Sequence, residues 1–147
     1  MQTKLNATDR AERRLLSHML HNVQVVERVP RSDMPSPFIH DVFTAVYIRL
    51  IGFYEQHDKP DFQRFLEQLE DVELRKIALE SAIIERDPDH GDQEVTDCLQ
   101  YLNKQRLLRK MEQKQQLAIE AEKMNDIMKA VTLAEEVRKL RIAYASM

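Results

Sequence analysis

From Asp92 to Lys123 the chain contains no glycine and no proline, and the two glycines of the whole sequence lie at positions 52 and 91. The residues that predominate are Leu, Ala, Glu, Lys, Gln, Arg and Met, which lose little side-chain freedom in a helix. A segment of this length without a chain-breaking residue allows one helix of roughly 45 Å, at about 1.5 Å per residue. The sequence therefore predicts an all-α fold.

The first third of the chain predicts three helices. Asp9 and Glu12 have the spacing of a capping box at the start of the first helix, and Asn22 is a candidate cap for a short second helix that Pro30 ends. Ser36 as N-cap and Pro37 at the first helical position predict the start of a third helix, after a loop over residues 31–36. Its apolar stripe, wide enough for the centre of a bundle, comprises Ile39, Val42, Phe43, Val46, Tyr47, Leu50, Ile51 and Tyr54.

Breaks at residues 57–60 and 86–92 bound two further short helices. The acid pairs Glu70 with Asp71 and Asp87 with Asp89 lie at the junctions, and we interpret them as caps rather than as acid/base or magnesium-binding groups. With these helices, residues 1–107 are predicted to form one helical bundle. The apolar positions of the two helices are Phe62, Phe65, Leu66 and Leu69, then Leu74, Ile77, Ala78, Ala82 and Ile83.

Beyond Met111 the chain becomes mostly polar, and Asn125 with Asp126 predicts a turn and a cap before a last helix. Residues 108–147 are therefore predicted to form a C-terminal helical hairpin, led in by the long helix. Residues 100–147 carry ten Lys or Arg against six Asp or Glu, whereas residues 1–99 carry 12 against 19. This modest basic excess favours an acidic protein surface over nucleic acid as a partner, so we expect no direct nucleic-acid binding.

The last helix carries more apolar residues than the helix before it can cover with Leu117, Ala118, Ile119 and Ala121. Exposed apolar surface commonly marks an interface, and methionines adapt to irregular partner surfaces. There are two alternatives to partner binding. The apolar residues could pack only within the hairpin, and the basic residues could form a solvated charged face. The candidate partner-binding residues are Met124, Ile127, Met128, Val131, Leu133, Val137, Arg138, Leu140, Arg141, Ile142 and Tyr144.

No catalytic, cofactor-binding or metal-binding pattern is evident in the sequence. His18 and His21 lie three residues apart but have no acidic residue or cysteine at helical spacing, so we interpret them as solvent-facing. A single cysteine, Cys98, fits a reducing compartment, and we interpret it as half-buried. Without a long apolar run or a secretory signal, the chain is expected to be cytoplasmic, with no membrane span.

Two segments carry a resemblance to known proteins. The sequences AERRLLSHML (residues 11–20) and FIHDVFTAVYIRL (residues 38–50), on either side of a valine-rich helix, resemble the N-terminal domain of bacterial replicative helicases. The long helix and basic hairpin that follow are similar to the C-terminal domain of bacterial DNA primase, which combines a bundle of that type with a helical hairpin. The resemblance to primase covers essentially the whole chain.

The primase resemblance implies a non-catalytic domain that docks primase on the N-terminal region of the hexameric replicative helicase and couples primer synthesis to fork unwinding. It implies that the hairpin supplies the main contacts, that the bundle modulates the helicase, and that the parent protein is a DNA primase whose catalytic acids and zinc-binding cysteines lie elsewhere. The isolated chain is expected to be a monomer. The alternatives are the N-terminal domain of a helicase, which the basic tail fits poorly, and an unrelated helical scaffold that self-associates through the hairpin.

Overall fold

The computed structural model describes residues 6–29 and 36–147, and over these residues the chain forms seven helices and no strand. The predicted all-α fold is confirmed. Pro30 and residues 31–35 of the predicted loop lie outside the described residues. The helices are α1 (Ala7–His21), α2 (Val23–Glu27), α3 (Asp41–Gln56), α4 (Phe62–Gln68), α5 (Val72–Ala82), α6 (Gly91–Lys123) and α7 (Ile127–Ala145).

The chain divides into two compact units, Met1–Leu102 and Asn103–Met147, and α6 contributes residues to both. The first unit holds α1 to α5 with the start of α6. The second holds the rest of α6 with α7. Every helix in the described part of the chain is too short or too polar to cross a lipid bilayer.

The core of the first unit is built around α3, as its wide apolar stripe predicts. Phe43, Val46, Tyr47, Leu50 and Phe53 of this helix are buried. Burying an aliphatic or aromatic side chain of this size stabilises the fold by about 1.5–3 kcal/mol. The rings of Phe53 and Phe65 pack edge to face with centroids 5.6 Å apart, which joins α3 to α4. The remaining fully buried aliphatic residues come from α1, α4–α5 and α6: Leu15, Leu16, Met19, Leu69, Val95 and Leu102.

Two of the predicted helix starts are wrong. α1 begins before Asp9, because the Asn6 side chain caps it and accepts a hydrogen bond from the Asp9 backbone N–H at 2.8 Å. α3 begins at Asp41 instead of Pro37, because Ser36 uses its hydroxyl in a local turn, accepting from the Phe38 N–H at 3.0 Å. Asp9 and Ser36 therefore have side chains that could cap a helix, but neither is the N-cap residue of its helix.

The other turn residues behave as their local chemistry predicts. Asn22 accepts from the Gln24 N–H at 2.9 Å, and Asp71 accepts from the Glu73 N–H at 2.8 Å. Asp87 closes the loop before α6 by accepting from the Asp89 N–H at 2.9 Å. One apolar prediction fails here: Ile83 is 82% exposed, because α5 ends at Ala82 and Ile83 is its C-cap.

Candidate functional site

The second unit is a pair of helices joined by a tight turn at residues 124–126. Asn125 has a φ of 59°, in the left-handed region that asparagine tolerates at the end of a helix. The Asp126 N–H donates to the Ala121 carbonyl at 2.8 Å, and the Asp126 side chain accepts from the Lys129 N–H at 3.2 Å. The predicted turn and cap are thus confirmed, and α7 returns beside α6.

One ion pair between the two helices shows which residues lie opposite each other. Lys114 Nζ lies 2.7 Å from Glu136 Oε2. Because residues 114 and 136 are opposite each other on either side of the turn, residues 103–111 of α6 lie beside residues 137–147, which are the end of α7 and the two residues after it. The capped turn at the end of the hairpin and the ion pair at its middle are consistent with this one register.

One face of α7 is sheltered from solvent. Val137 is buried at 7% exposure, and Leu133, Leu140 and Tyr144 are half-buried at helical spacing from it. On α6, Ala121 is buried and Ala118 is half-buried, whereas Leu117 and Ile119 are exposed. Near the turn, the sheltered apolar residues of α6 are therefore alanines, whereas Leu107, Leu108 and Met111 are half-buried nearer the start of this unit.

The opposite face of α7 is apolar as well, and it is exposed. Met128 is 82% exposed, and Ile127, Val131 and Ile142 are each more than half exposed. Met124, in the turn before α7, is 83% exposed. The two basic residues among the candidate partner-binding residues, Arg138 and Arg141, are also exposed. When a partner covers apolar side chains that are so accessible to water, the free energy of the system falls.

The eleven predicted binding residues therefore fall into two groups. Seven are exposed: Met124, Ile127, Met128, Val131, Arg138, Arg141 and Ile142. The other four, Leu133, Val137, Leu140 and Tyr144, are the sheltered ones, and the structure gives them a packing role. Whether any of the eleven contacts a partner stays a prediction.

The first unit also exposes apolar side chains at the two ends of α5. Val72 is 81% exposed, comparable with Ile83 at the other end of the same helix. These two residues form the natural comparison for the hairpin, because they are equally accessible but belong to the other unit.

The interpretation of His18 as solvent-facing is wrong. This histidine is buried, and its Nε2 lies 2.7 Å from Glu94 Oε1. The same oxygen lies 3.2 Å from Arg14 Nη1. His21 Nε2 lies 3.3 Å from the Ala82 carbonyl oxygen. Cys98, predicted to be half-buried, is buried. The partner of His18 could not be found at helical spacing because it lies 76 residues away.

Among the described residues, Asp9, Glu12 and His40 form the one group whose atoms are placed to hold a metal ion, within 4.8 Å of one another. The Glu12 carboxylate is already occupied. Its Oε2 accepts from the backbone N–H groups of Ile39 and His40, both at 3.0 Å, and its Oε1 bonds to His40 Nδ1. We assign this group to holding the start of α3.

The chain is similar to bacterial primases over most of its length, although no family model matches it. It is 32% identical to the DNA primase of Halalkalibacterium halodurans over 137 residues, which is 93% of this chain and 22% of that protein. It is 26% identical to the DNA primases of Listeria innocua and Enterococcus faecalis, over 141 and 142 residues. The chain thus spans about a fifth of the length of these relatives, at 22% of each.

A solved structure narrows the match to one region of primase. The DnaB-binding domain of DnaG from Bacillus stearothermophilus is 26% identical, with a TM-score of 0.53, over 95% of this chain and 94% of that one. The chain is similar to this primase domain in both sequence and fold. Because the match extends over nearly all of both chains, the bundle and the hairpin of this primase-type domain are matched together. The alternative of a helicase N-terminal domain is not favoured by these matches.

Proposed function

We propose that this primase-type domain binds the N-terminal region of the hexameric replicative helicase and thereby couples primer synthesis to fork unwinding. The observation that carries the proposal is the exposed apolar face of the hairpin, at Met124, Ile127, Met128 and Val131. The solved homologue, which is described as a DnaB-binding domain, supports the choice of partner. The bundle, residues 1–107, is proposed to modulate the helicase.

The exposed face has the composition of an interface core. Methionines and branched aliphatic residues fill irregular hollows in a partner, and covering the exposed part of one such side chain contributes on the order of 1 kcal/mol. Three or four residues of this kind, excluded from water together, supply the central anchors on which interface affinity depends. Around them Lys123, Asp126, Lys129 and Glu135 provide a polar rim.

The sheltered residues of α7 act indirectly in this proposal. Val137 is buried and Leu133 half-buried on the face opposite Met128 and Val131, so their packing holds the exposed face in place. Alanine substitution of Leu140 or Tyr144 is therefore expected to weaken binding by loosening the hairpin, while the first unit keeps its stability.

We further propose that the domain is a non-catalytic part of a DNA primase, has no resident metal or cofactor, is a monomer when isolated and works in the cytoplasm. The arrangement of the charged pairs between its helices supports the first of these points. Glu12 is bonded to His40, Arg13 to Glu80, and His18 to Glu94. Each of these groups is committed to joining two helices of the bundle, which is a structural role.

Size-exclusion chromatography with light scattering tests the proposal. The whole chain, alone and mixed with the N-terminal region of a replicative helicase, is compared with a chain lacking residues 108–147. We expect the whole chain to be monomeric and to form a stable complex, and the shortened chain to form none although circular dichroism shows it to be helical. A dimer that does not bind helicase would instead indicate a self-associating scaffold.

A further inference from the structure

The charges of the hairpin are separated along its length. Residues 103–111 and 137–147, which lie side by side and are called the hairpin base here, carry seven Lys or Arg and no Asp or Glu. Residues 112–136, the hairpin tip, carry three Lys or Arg against six Asp or Glu. The modest excess of positive charge over the whole segment therefore conceals a strongly basic region next to an acidic one.

Most of the basic side chains at the hairpin base are available to a ligand. Arg109, Lys110, Lys139 and Arg141 are exposed, and they form no ion pair in the described part of the chain. Arg138 forms one ion pair, in which its Nε lies 3.7 Å from Glu135 Oε2, and both side chains are more than half exposed. An exposed pair of this kind contributes little, so it does not prevent Arg138 from binding an anion.

The apolar surface follows the opposite pattern. Six of the exposed large apolar side chains belong to the tip: Leu117, Ile119, Met124, Ile127, Met128 and Val131. The base has two, Ile142 and Met147. Protein interfaces need apolar anchors and have few charges at their centre, which describes the tip. Clustered cations with few apolar neighbours fit a polyanion, and the arginine fork matches a phosphate group.

We propose that the hairpin base binds the phosphate backbone of nucleic acid, without sequence preference. The proposal goes beyond helicase docking and does not depend on it, because the apolar anchors proposed for docking lie in the tip, although Arg138, Arg141 and Ile142 of the base are also candidate partner-binding residues. It reverses the expectation drawn from the net charge of the whole segment, which averages the base with the acidic tip. Binding of this kind depends on release of counterions and therefore weakens steeply with salt.

The test is the fluorescence anisotropy of a labelled oligothymidylate of about 20 nucleotides, titrated with the whole chain at about 50 and 200 mM salt. The variant with both Lys110→Ala and Arg141→Ala is compared with the charge-matched variant Lys123→Ala with Lys129→Ala in the tip. We expect the base variant to bind at least about tenfold more weakly. The slope of log affinity against log salt concentration should fall by about 1.4, which is about 0.7 for each lost phosphate contact to a single strand. The tip variant is expected to change affinity less than about twofold, since its cations have acidic neighbours.

Three results would overturn the proposal: no binding at the lower salt, equal weakening in both variants, or competition by polyglutamate as strong as by unlabelled oligothymidylate. The last of these would assign the hairpin base to an acidic protein surface. Thermal unfolding of each variant confirms that its fold is retained. No sample contains helicase, so a negative result leaves the proposed docking through the tip unaffected.

Discussion

Glu12 of α1 and His40, the N-cap of α3, are joined by two hydrogen bonds although 28 residues separate them in the chain. The Glu12 side chain is completely buried, and it also accepts from the Ile39 N–H. α3 has no side-chain cap of its own. A carboxylate from α1 thus fixes the position at which the central helix of the bundle begins.

Replacing Glu12 by alanine is expected to lower the free energy of unfolding by about 3 kcal/mol, because it leaves buried N–H groups and an imidazole without their acceptor. Urea denaturation measures this change. Asp87→Ala is the matched control, since Asp87 accepts from two backbone N–H groups and from His90 Nδ1 in the same way but at the surface. A loss as large for the control would show that burial of Glu12 is unimportant.

Glu94 is expected to make stability depend on acid. Burial opposes its charged form, but hydrogen bonds from His18 and Arg14, with the positive charge of Arg14, outweigh burial and lower the pKa of Glu94 below its ordinary value of 4.5. A lowered pKa in the folded state stabilises the fold above the unfolded pKa, and this stabilisation disappears as the pH falls through the folded pKa.

The free energy of unfolding, measured with urea between about pH 3 and 6, tests this prediction, because the ionisation of one carboxylate changes stability within that range. The Glu94→Gln variant should be less stable than the parent chain at the upper end, and the difference should shrink towards the lower end. Glu55→Gln, at an exposed position, should follow the parent chain throughout. A constant difference between the Glu94 variant and the parent would contradict the assignment.

Cys98 is expected to be unreactive in the folded domain. Burial, with a smaller effect of the neighbouring Glu94 charge, raises the pKa of this thiol to about 11. The thiolate, which is the reactive form, is therefore scarce near neutral pH. An aromatic disulfide reagent should react slowly in native buffer and rapidly in urea. Rapid reaction of the native protein would mean that α6 opens locally or that Cys98 is accessible.

Local chemistry predicted much of this fold, because helices and turns depend on neighbours in the chain. The long α6, the turn at Asn125 and the cap at Asp126 follow from missing chain breakers and from side chains that bond within three residues. Interactions between distant residues account for the errors. Glu12 serves α3 instead of its own helix, and His18 is buried by a contact with a residue on α6.

Only part of the candidate site could be predicted, again because contacts between helices are not visible in the local sequence. Apolar residues occupy both faces of α7, so the pattern shows an excess of apolar surface without showing which face is covered. The covering helix decides this, and its sheltered positions near the turn, Ala118 and Ala121, are small. Sorting α7 by helical spacing, with Leu133, Val137 and Leu140 as one set, would have separated the two groups.

Residues 1–107 are predicted to fold without the hairpin, because the core of the first unit is supplied by α1 to α5 and the start of α6. The shortened chain should unfold in one cooperative thermal transition, near the temperature of the first unit in the whole chain. Loss of that transition would show that the bundle needs residues 108–147.

The central claim is that the exposed apolar face of α7 binds the helicase, and titration calorimetry with the N-terminal region of a replicative helicase tests it most directly. Met128→Asp with Val131→Asp is compared with Val72→Asp with Ile83→Asp, which places the same charges on exposed apolar positions of α5. The hairpin variant should bind at least about 30-fold more weakly, a loss of about 2 kcal/mol, and the α5 variant should bind within about twofold of the parent chain. Unchanged affinity in the hairpin variant, with binding lost in the α5 variant, would place the docking surface on the bundle.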